Sequence, residues 1–171
     1  MVKRRVHSVW LLAALLASTA VGASSQAGAQ SHEGRVDPCS LLTDDDAERI
    51  TDIPMKRKPT ANAINCSYMQ LTSDSGPTAE VHLNVMQHRT NEVEDVAWGA
   101  AKNGASTAGK LEVVGSIGDE AYVVRPQQSG IGGATLFVRK GTADFMLTTF
   151  GSKADPFEAM KEIAKKIADQ L

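Results

Sequence analysis

The chain is poor in the residues and spacings that most often announce a chemistry. Among 171 residues there are two cysteines and four histidines. No Cys-x-x-Cys spacing occurs, which excludes a redox pair of that kind. No Gly-x-Ser-x-Gly elbow occurs, and Gly115-Ser116-Ile117-Gly118 lacks its spacing. Gly130-Ile131-Gly132-Gly133 lacks the Gly-Lys-Ser/Thr ending and the following helix of a phosphate loop. There is no internal repeat of fixed period. Beyond the N-terminus no apolar run approaches the roughly 20 residues that span a bilayer. Basic residues do not outnumber acidic ones, 18 against 20. A nucleic acid or an anionic membrane rewards a basic surface, so neither is expected as the main partner.

What is present begins at the N-terminus. Lys3, Arg4 and Arg5 precede the apolar run Val9–Ala17, and Ala27-Gly28-Ala29 has the small-x-small form of a cleavage site. Val21-Gly22-Ala23 is a competing, earlier site. Residues 1–29 therefore read as a signal peptide, and 30–36 as a disordered linker. Cutting after Ala29 leaves 142 residues, one domain's worth, with 15 basic and 20 acidic side chains. The expected address is periplasmic or extracellular, and no transmembrane span is expected once the leader is removed. Lipid attachment needs a cysteine directly after the apolar run, and Cys39 lies well downstream. An even cysteine count in an oxidising compartment reads as one disulfide, Cys39–Cys66. On the chain-entropy estimate that staple stabilises by about 3–4 kcal/mol.

Periodicity then outlines a domain over 37–171. Leu41–Ile50 reads as a helix with Thr43 as N-cap and Asp46 completing an acidic capping box. Asp44, Asp45 and Asp46 are helix-start chemistry; a calcium loop would alternate its carboxylates around a glycine. Lys56-Arg57-Lys58, between Pro54 and Pro59, reads as a solvated loop. Residues 64–68 alternate as a strand, and Ser73–Pro77 reads as a turn. Val81, Leu83 and Val85 alternate with Glu80, His82, Asn84, Met86 and His88. Residues 92–102 read as a helix capped by Asn91, with Val93, Val96, Ala97 and Ala100 as its buried stripe and Asn103-Gly104 as its end. Residues 105–110 read as loop and 111–114 as a short strand. After a turn at 115–120, strands are expected at 121–125, 135–139 and 145–150, with a tight hairpin at Lys140-Gly141. Pro126 ends the first of these, and 127–133 reads as loop. The last helix is expected to be capped by Asp155, with Phe157, Met160, Ile163, Ala164, Ile167 and Leu171 on its apolar face. The fold class is α+β: an antiparallel sheet with helices packed on one face and an amphipathic C-terminal helix.

No constellation of these residues makes a site at sequence level. Glu80, His82 and His88 share one strand face and are the candidate metal ligands. Six residues of straight strand put the two histidines roughly 20 Å apart, so they cannot share an ion. Asp119-Glu120 are adjacent in extended chain and point apart, which suits a turn better than an acid/base pair. Asn65-Cys66-Ser67 matches a glycosylation pattern, but Cys66 is better used in the staple. No catalytic, cofactor-binding or metal residue is assigned, and no cofactor is expected. The leading reading is a non-enzymatic exported domain that binds a partner protein or small ligand in the envelope. A hydrolase or metal-dependent enzyme with a site assembled from scattered residues is the first alternative. A structural envelope protein, which would expose an apolar patch or an open sheet edge, is the second.

Three segments occur in order: Asp37-Pro38-Cys39-Ser40-Leu41-Leu42-Thr43, Cys66-Ser67-Tyr68, and Ile117-Gly118-Asp119-Glu120-Ala121-Tyr122. Together they resemble the bacterial secreted and lipoprotein domains grouped as domain of unknown function 3558, over about residues 37–171. The resemblance implies a compact α+β module at the cell envelope with its two cysteines paired. It supplies no reaction and no catalytic residues. Many such relatives carry a lipid-attachment cysteine beside the leader, where this chain has none.

Overall fold

A computed structural model describes residues 35–60, 62–71, 78–125, 132–152 and 155–171. The leader with both cleavage sites, the turn expected at 73–77, and Pro126 lie outside the described residues. The elements run α1 (Pro38–Leu41), α2 (Asp44–Thr51), β1 (Met55–Lys58), β2 (Asn65–Gln70), β3 (Glu80–Gln87), α3 (Asn91–Ala108), β4 (Leu111–Val113), β5 (Glu120–Val124), β6 (Gly132–Lys140), β7 (Ala143–Ser152) and α4 (Phe157–Ala168). The strands form one antiparallel sheet in the order β1-β2-β3-β7-β6-β5-β4. Two meanders, β1–β3 and β4–β7, are joined by α3. The last strand closes the sheet between them.

Strand alternation separates two faces. On the first, Cys66, Tyr68, Val81, Leu83, Val85, Leu136, Val138, Phe145 and Leu147 are buried in one cluster with Leu41, Ile50, Met160, Ile163 and Ile167. That is the core, and α1, α2 and α4 cover it. Cys39 of α1 is bonded to Cys66 of β2, with Cα atoms 5.0 Å apart. One turn further on, the Tyr68 hydroxyl donates to the Leu42 carbonyl at 2.6 Å, and burial pushes its pKa up to about 12. Staple and hydrogen bond together fix the N-terminal segment across β2. Thr43 and Asp46 form the expected capping box. Burial works against the Asp46 carboxylate, but Lys166 at 2.6 Å and the Thr43 N–H and hydroxyl hold its pKa below the usual range. Lys166 thus links the start of α2 to α4.

Several expectations give way to tertiary packing. Val36, placed in a disordered linker, packs against the core and its N–H donates to Gln87 Oε1 at 3.0 Å. The helix expected at 41–50 is split: Leu42 is extended and separates α1 from α2. Lys56-Arg57-Lys58 is an edge strand rather than a loop. Met55 anchors it in the core while its three cations stay exposed, and lysine on an edge is a common guard against unwanted pairing. Its outer rim is guarded further, because the Met55 N–H is taken by Glu48 Oε1. α3 is capped by Thr90 rather than Asn91 and runs through Asn103-Gly104 to Ala108. A helical glycine costs about 1 kcal/mol, yet the helix continues past Gly104 and buries Ala105 against β5. α4 starts at Phe157 with Pro156 in the cap position; Asp155, one residue earlier, accepts from the Phe157 N–H.

The antiparallel α+β class is as expected, with one addition. Three helices share a face, but α3 lies on the other. Trp98 and Ala105 of α3 pack with Tyr122, Val124, Leu111 and Phe137. These side chains alternate with the core residues Ala121 and Val123, so they point the opposite way.

Candidate functional site

Register across the sheet arranges this second face in rows. One row reads Lys56, Met69, Glu80, Phe150, Gly133; the next reads Lys58, Ser67, His82, Thr148, Thr135. A third reads Asn65, Asn84, Met146, Phe137, Tyr122, and a fourth reads Met86, Asp144, Arg139, Glu120. α3 covers the Tyr122 end of these rows. Among the described residues no helix lies on the Lys56 end.

The covered end is tightly tied. The Trp98 ring lies 5.1 Å from that of Tyr122, which stacks on Phe137 at 4.7 Å. Trp98 Nε1 donates to Glu120 Oε2 at 2.7 Å and Lys102 pairs with the other oxygen; Lys102 above all holds the Glu120 pKa low. Asp119 accepts from the Gly141 N–H at 2.6 Å, which lowers its own pKa. Asp119 and Glu120 therefore serve two different anchors, as their adjacency in extended chain requires.

Beneath α3 sits a group of charges that sequence reading did not connect. Glu94 is 0 % exposed, with Oε2 2.6 Å from Arg139 Nε. Neither carboxylate oxygen takes a well-aligned hydrogen bond among the described residues. Burial raises the Glu94 pKa; Arg139 pulls it back and Asp144 pushes it further up. Arg139 also pairs with Asp95. His88 Nε2 meets Asp144 Oδ2 at 2.8 Å, both largely buried. Sequence periodicity placed Val93 and Val96 on the buried stripe of this helix; they are exposed, Val96 at 75 %, and the buried positions are Glu94, Trp98 and Ala105. A carboxylate at a core position defeats any reading by hydrophobicity. Its signal, a cation across the sheet, needs the register.

The bare end holds a linear relay. Ser67 Oγ lies 2.9 Å from His82 Nδ1, and His82 Nε2 lies 2.9 Å from Glu80 Oε2. A carboxylate only accepts, so Nε2 donates to Glu80; in the neutral imidazole Nδ1 then accepts from the Ser67 hydroxyl. Phe150 meets the imidazole edge-on at 6.5 Å between ring centroids. Asn84 donates to Asn65 at 2.7 Å alongside. The candidate ligands are thereby divided: Glu80 and His82 stand together, and His88 pairs elsewhere with Asp144. Among the described residues no three potential metal ligands gather at one point. Ser67 was missed because only cross-strand register brings it opposite His82.

Beside the relay a cleft of about 280 Å³ is lined by Lys56, Arg57, Lys58, Pro59, Met69, Gln70 and Leu71. Among the described residues none of the three cations forms a salt bridge. The exposed large apolar side chains of the described residues are Met69, Leu71, Met86, Val93, Val96, Val113 and Phe150. All seven lie on the α3 side of the sheet. Among the described residues no helix is long and apolar enough to cross a membrane.

No family model and no curated protein matches the chain. Among solved structures it aligns with the crystal structure of LpqN, involved in cell envelope biogenesis of Mycobacterium tuberculosis. The identity is 15%, over 71% of this chain and 79% of that one, and the TM-score is 0.27. A likeness of that size carries neither fold nor function to this chain.

Proposed function

We propose that the chain is an exported, non-enzymatic recognition domain of the cell envelope, and that it binds through the half of the sheet α3 leaves bare. One observation carries the reading: Met69, Leu71 and Phe150 are exposed at the end of the sheet that α3 leaves bare, and Lys56 and Lys58 at that end form no salt bridge among the described residues. A surface of that kind marks a protein contact. The basic, apolar start of the chain supports export, as does the disulfide, a bond of oxidising compartments. The resemblance to secreted and lipoprotein domains at the Asp37–Thr43 opening agrees with that address.

The test is photo-crosslinking in the exporting cell, with a photoreactive residue at position 150 and a control at 165. Lys165 is exposed on the far side of the molecule. A discrete adduct from 150 and none from 165 is expected. No adduct from 150 overturns the reading.

A second reading is favoured by the relay itself. Hydroxyl, imidazole and carboxylate stand in the order a nucleophilic serine requires, so Ser67 could attack an ester with His82 taking its proton. The relay lies on an open sheet surface, and none of the clefts around Glu112, Asn91 or Lys56 contains His82. Covalent labelling of Ser67 by a fluorophosphonate, abolished by His82→Ala, would establish hydrolysis. An unlabelled Ser67 leaves recognition.

A further inference from the structure

We infer that the bare half of the sheet is covered by α3 of a second copy of this chain. The inference rests on the recognition reading above and names its partner. Among the described residues, two surfaces on this side of the molecule expose apolar side chains with nothing packed on them. One lies along the Lys56 row, where Met69 and Phe150 flank Glu80 and Leu71 follows Met69. The other is the outer stripe of α3, where Val93, Val96 and Ala100 are exposed.

Helix geometry sets that stripe directly opposite the docked one. Val96 and Ala100 each follow a buried residue, Glu94 and Trp98, by two positions, about 200° around the axis. A helix held on its own sheet by one side therefore presents the other side outward, parallel to the same surface. Valine and alanine side chains are short, and the side chains at a helix contact set how closely it can approach its neighbour. Lengths agree as well. Eighteen residues of α3 span about 27 Å, and the ten residues of β7 about 33 Å.

Charge favours the same occupant. Glu92 stands exposed at the start of the outer stripe and forms no ion pair among the described residues. Lys56 and Lys58 border the bare sheet and form no salt bridge among the described residues. The molecule already shows this mode of docking once. α3 lies on its own half of the face through apolar contacts, with Glu94 and Asp95 set against Arg139. In a two-fold pair the contact is made twice, helix of one protomer on the sheet of its partner, and both surfaces close without leaving an open end.

Light scattering on the processed protein from its exporting host tests this directly. The expected mass is that of two chains. Val96→Glu and Phe150→Asp, both at exposed positions, are each expected to weaken the pair at least about tenfold with unchanged melting of the fold. Lys56→Glu with Lys58→Glu should weaken it too, and adding Glu92→Lys should restore it. A single-chain mass at all concentrations overturns the inference, as does a pair indifferent to both Val96→Glu and Phe150→Asp. The crosslink from position 150 separates the two claims. An adduct with a different protein, from a single-chain species, overturns the second copy and leaves recognition standing. No adduct at all removes both.

Discussion

On one side of the sheet, three helices, a disulfide and a buried tyrosine leave no large apolar side chain exposed among the described residues. On the other, α3 covers the β5–β6 end through Trp98, and among the described residues no helix lies on the β1–β3 end. Both sides are made from the same strands, and each strand contributes alternate residues to each. The difference lies in what is laid on top. The two histidines of the β3 face record it. His88 is tucked under α3 against Asp144, while His82 stands half-exposed between Ser67 and Glu80. One helps close a layer, and the other remains available to a visitor.

The comparison can be broken most severely at its staple. Cys39→Ser and Cys66→Ser should each cost about 3–4 kcal/mol in urea unfolding, and the double variant should cost no more than either. Additive losses would show that the cysteines act separately. On the other side, Trp98→Ala should cost about 3 kcal/mol, since it removes the ring that seats α3. Phe150→Ala should change stability by no more than about 0.5 kcal/mol, because that ring is 47 % exposed. Comparable losses at 98 and 150 would mean the two ends are not differently finished.

Two carboxylates sharpen the contrast through pH. Asp46 has a lowered pKa when folded, so its contribution is present above the ordinary aspartate value of about 3.9 and is lost as pH falls through the folded value. Asp46→Asn should cost about 1 kcal/mol at pH 7, and the difference should vanish in strong acid. Glu94 has a raised pKa, so folding favours its protonated form. Its contribution is most favourable below the ordinary glutamate range and declines as pH rises through the folded value. Wild type should therefore lose ground to Glu94→Gln as pH rises, the opposite slope to Asp46. Urea unfolding across the acid range measures both, and parallel slopes would contradict the assignment.

Much of this fold is legible in the chain because it is local. The Thr43–Asp46 box, the alternation of Val81, Leu83 and Val85, and the stripe of α4 all announce themselves within a few residues. What was hidden is cross-strand. β1 looked like a solvated loop because its cations outnumber Met55, and its pairing with β2 is invisible in the sequence. α3 looked as if it should bury Val93 and Val96, because nothing local says that Glu94 meets Arg139 or that Trp98 meets Tyr122. The relay stayed unseen for the same reason: Ser67 and His82 are fifteen residues apart and become neighbours only through register.

Methionine oxidation in the exporting cell tests the bare face most directly. Met69 and Met86 lie on it, while Met55 and Met160 are buried in the core and serve as internal references. If the surface is covered where the protein works, Met69 and Met86 should oxidise far more slowly there than in the purified protein diluted to single chains. Equal oxidation in the two settings, with the buried pair unchanged, would contradict the claim that this face meets a partner.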